Sequence, residues 1–310
     1  MSRPSLSVVV PVYRRAEQAC AALAALFDQS LPDEVAMEII VVDDGSGDGT
    51  AAHIDAMFGT RIRLLRMPTN RGRAEARSRG IADARSERIV LLDCDCVPAH
   101  RHYLSTLWAC FEGGAAIVAG PISGYGGTFW DRYQRLGSTR RAKQIRAGIP
   151  GVGSSANLAF DKQTYLAAGG FDPRYRHYGF EDRDLLLRLG LHGRLMWADE
   201  AEVRHMDALS MREICNKMRE AGRHSAGLFA SEHPEAYVQS GYAALDTRVH
   251  HWLRWVTMAT SPAVPWLSRI VDRLIGWSIL PFRLRAVMVK AVTGLGFMQG
   301  TWQAQRDAAP

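Results

Sequence analysis

At 310 residues and 47% hydrophobic content the chain can bury a sizeable core, and this composition excludes a globally disordered polypeptide. A formal net charge of +6 suits an anionic ligand, a nucleic acid or an anionic membrane surface and does not choose among them. Pro11 breaks the short N-terminal apolar run before it reaches signal-peptide length, and five irregularly spaced cysteines argue against a disulfide framework, so a cytoplasmic chain is expected.

Leu6 to Val12 is an apolar, β-branched run and predicts a buried strand. Ala16, Cys20, Leu23 and Phe27 follow at helical spacing. Glu38 to Val42 predicts a second buried strand, ending in Asp43-Asp44-Gly45-Ser46, with Asp48 placed to cap a helix that starts near Gly49. Ile62 to Leu65 is a third strand and Arg73 to Ala84 a helix preceded by Gly72. Arg88 to Leu92 is a fourth strand, ending in Asp93-Cys94-Asp95, and Ala115 to Ala119 a fifth. Further on, a helix opens at Glu181-Asp182, a strand from Ala201 to Arg204 leads to His205, and Leu209 to Phe229 is helical. Strands alternating with helices predict an α/β fold with a mostly parallel sheet, which binds ligands at the carboxyl ends of its strands. The two acidic clusters fall at those ends.

Asp93 and Asp95 stand two residues apart and can point the same way from extended chain. Such a pair needs a positive partner, and a divalent cation on a diphosphate supplies one through hard oxygen ligands. The plainer alternative is a solvated turn. Cys94 and Cys96 lack a second cysteine pair for zinc and read as packing residues. Asp44 to Gly49 has the residue order of a calcium-binding loop, but a strand precedes it and the next helix begins too soon. Asn70-Arg71-Gly72-Arg73 places arginines at helix amides, where phosphate is favoured, whereas Arg79 and Arg85 read as a solvated face. Glu181 and Asp182 follow Tyr178, Gly179 and Phe180, and read either as complements of the helix dipole or as part of a shaped loop.

Taken together, Val8-Val9-Val10-Pro11-Val12-Tyr13, Val41-Val42-Asp43-Asp44-Gly45-Ser46, Asn70-Arg71-Gly72 with Ala76-Arg77, and Leu92-Asp93-Cys94-Asp95 resemble the family 2 glycosyltransferases of GT-A fold. Gly169-Gly170-Phe171-Asp172, Glu181-Asp182 and Leu189 are similar to a galactosyltransferase-like acceptor motif. The resemblance covers residues 6–207 in order and spacing. It implies a Rossmann-like, nucleotide-binding mixed sheet flanked by helices. The expected division is a nucleotide-sugar-binding half over 1–120, an acceptor-binding half over 121–207 and a helical C-terminal extension over 208–310. The implied reaction transfers a sugar from a nucleotide diphosphate-sugar, expected to be UDP-linked, to an acceptor hydroxyl by metal-dependent inverting displacement. By position, Pro11 and Tyr13 would border the base, and Asp44 or Asp43 would hydrogen-bond it. Gly72 and Arg77 would line the nucleotide site. Asp93 and Asp95 would lie at the ribose and at Mn²⁺ or Mg²⁺, with His205 completing the metal site. Asp182 would be the general base, with Glu181 toward acceptor hydroxyls. Ser78 stands where the family commonly has Asn, and Cys96 where a third Asp is frequent. The basic segment Ser138 to Arg146 is expected to be a mobile lid over the donor.

Beyond Thr247 the chain turns aromatic, apolar and basic, and Arg269, Asp272, Arg273, Arg283, Arg285 and Lys290 interrupt any stretch long enough to span a bilayer. Two readings stay open. One is an interfacial helix pair on anionic lipid, peripheral on the inner face of the cell membrane, which would favour a lipid or lipid-linked glycan acceptor. The other is an ordinary helical subdomain or dimer contact. Two rival functions remain beside glycosyl transfer. One is a metal-dependent nucleotidyltransferase. The other, a nucleic-acid-binding protein, is opposed by the acidic clusters, which repel phosphates.

Overall fold

The computed structural model describes residues 4–307. The chain divides into two units. The first runs to Arg176 and resumes from Leu185 to Asp207; the second comprises His177–Asp184 and the chain from Ala208 onward.

The first unit opens with β1 (Leu6–Val12), α1 (Ala16–Phe27), β2 (Met37–Asp43), α2 (Thr50–Phe58), β3 (Arg63–Arg66), α3 (Arg73–Asp83) and β4 (Arg88–Leu92), the alternation that the patterning predicts. It continues through β5 (Cys96–Pro98), α4 (Tyr103–Glu112), β6 (Ile117–Ala119), β7 (Ile122–Ser123), α5 (Phe129–Arg146), β8 (Asn157–Asp161) and α6 (Lys162–Ala167). Then follow α7 (Glu181–Leu189), whose first turn counts with the second unit, β9 (Leu195–Trp197) and β10 (Val203–His205). The main sheet has the order β3-β2-β1-β4-β8-β6-β9. Only β8 runs antiparallel to its neighbours.

Every residue of β1 is buried, and its two-residue period divides the unit into two cores. Val8, Val10 and Val12 join Leu23 and Leu26 of α1 and Leu107 of α4. Val9 joins Ile40 and Val42 of β2, Ile81 of α3 and Leu185 of α7. A Cβ on Gly80 of α3 would lie 2.4 Å from Val9 Cγ1, so only glycine lets this helix seat so close to the sheet. The sheet order grows outward from β1 to β3 and then restarts on the other side of β1 with β4. The carboxyl ends of β1 and β4 therefore flank a topological switch point, the usual ligand crevice of open α/β sheets.

One local expectation changes. Ser138 to Arg146 is the second half of α5, not a mobile lid: Ser138, Ala142 and Ile145 repeat at helical spacing and are buried, and Ser138 Oγ donates to Ile122 O at 2.7 Å. At the start of α2 Asp48 accepts the first helical amide, Thr50 N, at 3.0 Å as expected, while the N-cap position itself is Gly49, in the left-handed region at φ 89°. The strand β8 escapes prediction because Asn157-Leu158-Ala159-Phe160-Asp161 has too short an apolar run to declare itself. A second, three-stranded sheet, β5-β10-β7, sets His205 opposite Cys96, and the Met206 amide donates to Asp95 O at 2.8 Å.

The second unit is helical: α8 (Met211–Glu220), α9 (Ala226–Glu232), α10 (Pro234–Gln239), α11 (Leu253–Thr260), α12 (Val264–Ile275) and α13 (Phe282–Asp307). A π-helical turn at Ala221–Ser225 joins α8 to α9. Both α8 and α12 pack on α13. The α8 and α13 backbones meet where a Cβ on Gly300 would stand 2.0 Å from Arg219 O. Among the described residues no helix is long and apolar enough to cross a membrane.

Candidate active site

Asp93 and Asp95 leave the carboxyl end of β4 and face different partners. Arg77 of α3, 1% exposed, donates from Nη2 to Asp93 Oδ1 at 2.6 Å. Burial works to raise the Asp93 carboxyl, but the charges of Arg77 and Arg73 and the Arg77 hydrogen bond outweigh it and hold the group below the usual carboxylate range. Asp95 lies instead with His205 and Asp207, the ligand atoms of all three falling within 4.8 Å of one another. His205 Nε2 is 3.6 Å from Asp95 Oδ2. Burial, then the neighbouring Asp93, raises the Asp95 carboxyl, and Asp207 adds to the rise against the opposing pull of His205 and Arg15. The Arg15 guanidinium bonds Asp207 and stands 3.5 Å from Asp95 Oδ2, so one fixed cation already bridges the two carboxylates.

This cluster fits a hard divalent cation. Two carboxylates and one imidazole are a ligand set for Mn²⁺ or Mg²⁺. His205 turns Nε2 toward Asp95, while its Nδ1 is buried with no hydrogen-bond partner. Cys94 and Cys96 are buried, and burial, first among the causes, pushes both thiols up, away from the thiolate form that binds metals. The two cysteines pack, as expected. Asp207 is not among the residues that the sequence singles out. Its one signal is the His205-Met206-Asp207 spacing, which in extended chain points both side chains to one face.

The remaining donor-side candidates surround the ends of β1 and β2. Pro11 is buried opposite Val42, while Tyr13 is 37% exposed with the Arg14 guanidinium 5.0 Å from its ring centroid. Asp43 accepts from the Ser46 hydroxyl, which itself accepts from the Arg14 amide at 2.9 Å. Asp44 accepts from the amides of Arg71 at 2.8 Å and Gly72 at 2.9 Å, one on each carboxylate oxygen. It thereby fixes the loop that starts α3. Burial raises the Asp44 carboxyl in spite of these two N–H groups, and Asp43 and Glu75 reinforce the rise. Gly72 sits at φ 91°, and a Cβ there would lie 2.9 Å from Arg176 O, so the approach to α3 admits only glycine. Ser78, in the place of the family's Asn, lies 3.2 Å from the Tyr165 hydroxyl. Arg79 and Arg85 are exposed.

The acceptor-side candidates belong to the second unit. Glu181 is 4% exposed and Asp184 3%, whereas Asp182 is only partly buried. His233 Nε2 is 2.8 Å from Asp184 Oδ1. Just ahead of them Phe180 holds φ 69°, a conformation that costs a non-glycine residue about 1–3 kcal/mol. Its ring is wedged against Phe229, at 5.0 Å between centroids, and Tyr242, at 5.1 Å. This aromatic cluster over-determines the strained loop and sets the direction in which Asp182 leaves it.

A mixed α/β sheet flanked by helices, with an Asp-His-Asp cluster beside the carboxyl end of β4, has the form of a GT-A fold. Residues 7–165, just over half of the chain, match the model of glycosyl transferase family 2, and the chain belongs to that family. Glycosyltransferase AglE of Haloferax volcanii is 32% identical over 149 residues, 46% of this chain and 48% of that protein. The dolichol-phosphate mannosyltransferase of Mycosarcoma maydis is 28% identical over 215 residues, 65% of this chain and 70% of that protein. The chain thus spans about half the length of the first relative and more of the second. The mannosyltransferase PcManGT from Pyrobaculum calidifontis, solved with GDP-Man and Mn²⁺, superposes with a TM-score of 0.68 at 19% identity. That superposition covers 98% of this chain and 88% of PcManGT, and the two share a fold.

Proposed function

We propose that this chain transfers a sugar from a nucleoside diphosphate-sugar to the hydroxyl of an acceptor, with inversion at the anomeric carbon. The observation that carries the reading is the cluster of Asp95, His205 and Asp207 beside the carboxyl end of β4. In this reading Asp95, His205 and Asp207 hold Mn²⁺ or Mg²⁺, and Asp93, fixed by Arg77, is turned toward the ribose. The bound ion supplies positive charge to the leaving diphosphate. Pro11 and Tyr13 border the base, Asp43 and Asp44 shape its pocket, and the arginines at the start of α3 attract the phosphates. The nucleotide-sugar half is then residues 1–120, joined at the metal by His205 and Asp207, while the rest of 121–207 serves the acceptor.

Asp182 takes the proton of the acceptor hydroxyl as its oxygen bonds the anomeric carbon, and the electron pair of the broken bond leaves with the nucleoside diphosphate. Of the acidic residues in the first turn of α7 it is the least buried, whereas Asp184 is bonded to His233. The donor bound by PcManGT and the substrate in the name of the Mycosarcoma maydis relative support a GDP-mannose and a lipid-phosphate acceptor as strongly as the family resemblance supports UDP. The experiment is a thermal-shift panel of GDP-, UDP- and dTDP-sugars with and without Mn²⁺. It is followed by incubation of the stabilising donor with polyprenyl phosphate and mass spectrometry of the lipid. Metal-dependent stabilisation by one donor and a lipid heavier by one hexose are expected. No stabilisation by any donor in the presence of Mn²⁺ contradicts the reading.

A further inference from the structure

The second unit carries an apolar surface that its own folding leaves in water. Among the described residues the exposed tryptophans are Trp252, Trp255, Trp266 and Trp277, each 57–66% exposed, and all fall on α11, α12 or the segments next to them. In α11, Leu253 and Thr257 turn inward, while Trp252, Trp255 and Met258, at i, i+3 and i+6, turn outward. In α12, Val264, Ser268, Val271 and Ile275 form the buried stripe, and Trp266, Arg269 and Arg273 repeat at i, i+3 and i+7 on the exposed side. The turn before α13 presents Ile279, 85% exposed, and the first turns of α13 add Leu284 and Val287. Scattered exposed apolar residues are ordinary, but a succession of large ones on consecutive elements marks an interaction surface.

The charges around this surface are of one sign. Arg254, Arg269, Arg273, Arg283 and Lys290 are exposed. Between residues 251 and 290 the lone acidic residue is Asp272, which accepts the Met211 amide at 2.9 Å. Arg285 is turned into the fold, where it donates to Ile275 O at 2.7 Å. An indole at the boundary between hydrocarbon and water, with arginines beside it, is the arrangement that binds lipid headgroups. A second copy of the chain is the poorer occupant, because a two-fold contact sets the same five cations against each other. Nucleic acid would satisfy the cations but has no place for Ile279, Leu284 and Val287. We propose that α11, α12 and the start of α13 form a docking face for an anionic phospholipid bilayer, with the tryptophans at headgroup depth and the arginines and Lys290 on lipid phosphates. This inference rests on the surface alone and holds whatever the catalytic unit transfers.

The test is flotation of the full chain with vesicles of phosphatidylcholine and with vesicles that also contain phosphatidylglycerol. Binding is expected to the phosphatidylglycerol vesicles, to weaken with salt, and to move the tryptophan emission to shorter wavelength. The double variant Trp266→Ala/Ile279→Asp and the double variant Arg269→Glu/Arg273→Glu change only exposed side chains. Each is expected to keep the melting temperature while reducing vesicle binding roughly tenfold. Failure of the wild-type chain to bind anionic vesicles overturns the proposal. So does equal binding by wild type and both folded variants, or a light-scattering dimer that Trp266→Ala/Ile279→Asp dissolves while vesicle binding is unchanged.

Discussion

Arg77 and Asp182 have opposite settings, and the proposed reaction gives each a different test. Arg77 is buried under the end of β4, and its charge and hydrogen bond hold Asp93 ionised against the cost of burial. Removing Arg77 takes away a direct ion pair of Asp93, whose side chain is 20% exposed, and leaves the charge of Arg73 as its main compensation. Arg77→Met is therefore expected to destabilise the chain by about 1.5–3 kcal/mol in urea unfolding. A loss below about 1 kcal/mol would show that the ion pair is idle. Asp182 has the opposite setting, a partly exposed carboxylate in the first turn of α7, two residues after the strained Phe180. Asp182→Asn preserves shape but cannot accept a proton, so transfer should fall by roughly 10²–10⁴ while donor affinity is kept. Near-normal transfer by the Asn variant would hand the role to another group.

At the scale of elements, a single carboxylate ties three strands of the main sheet together. Glu38 of β2 accepts from Ser7 Oγ of β1 at 2.6 Å, from Arg63 Nη1 of β3 at 2.9 Å and from the Arg85 amide at 2.7 Å. Burial favours its protonated form, but the bonds from Ser7, Arg85 and Arg63 prevail and hold the carboxyl below the usual range. A depressed folded value means that the unfolded chain binds the proton more readily. The stabilisation is complete above the unfolded value of about 4.3 and is lost as pH falls through the lower folded value. Glu38→Gln should cost about 1.5–3 kcal/mol near neutral pH. Below about pH 4 its melting temperature should fall less steeply than that of the wild-type chain. Parallel curves through that range would rule out Glu38 as a source of acid sensitivity. The small sheet works by geometry instead, since its pairing of His205 with Cys96 is what carries the late histidine to Asp95.

For the molecule as a whole, the α/β class was legible because fully buried strands such as Leu6–Val12 and Met37–Asp43 announce themselves as continuous β-branched runs. Asp93 and Asp95 stand out in the sequence because an acidic pair at the end of such a run needs partners, which the fold supplies as Arg77 for one and His205 with Arg15 for the other. Asp207 does not, because what places it is the pairing of two three-residue strands, β5 and β10, far apart in sequence and too short to show a pattern. Arg15 likewise looks like one basic residue among many until the fold sets it between Asp95 and Asp207. The segment Ser138 to Arg146 misled because its charges hide a stripe of only three inward residues. The C-terminal tryptophans were visible as residues, but which of them the helices leave exposed is a property of packing alone.

The central claim is that Asp95, His205 and Asp207 join a divalent cation to a nucleoside diphosphate, and calorimetry tests it most directly. GDP and UDP are titrated into the wild-type chain with Mn²⁺ and with a chelator, and the better ligand is then titrated into Asp95→Ala and Asp207→Ala. The account predicts nucleotide binding that requires Mn²⁺ and weakens by about tenfold or more in each variant. Nucleotide affinity that is the same with and without Mn²⁺, or that survives both substitutions unchanged, would contradict it.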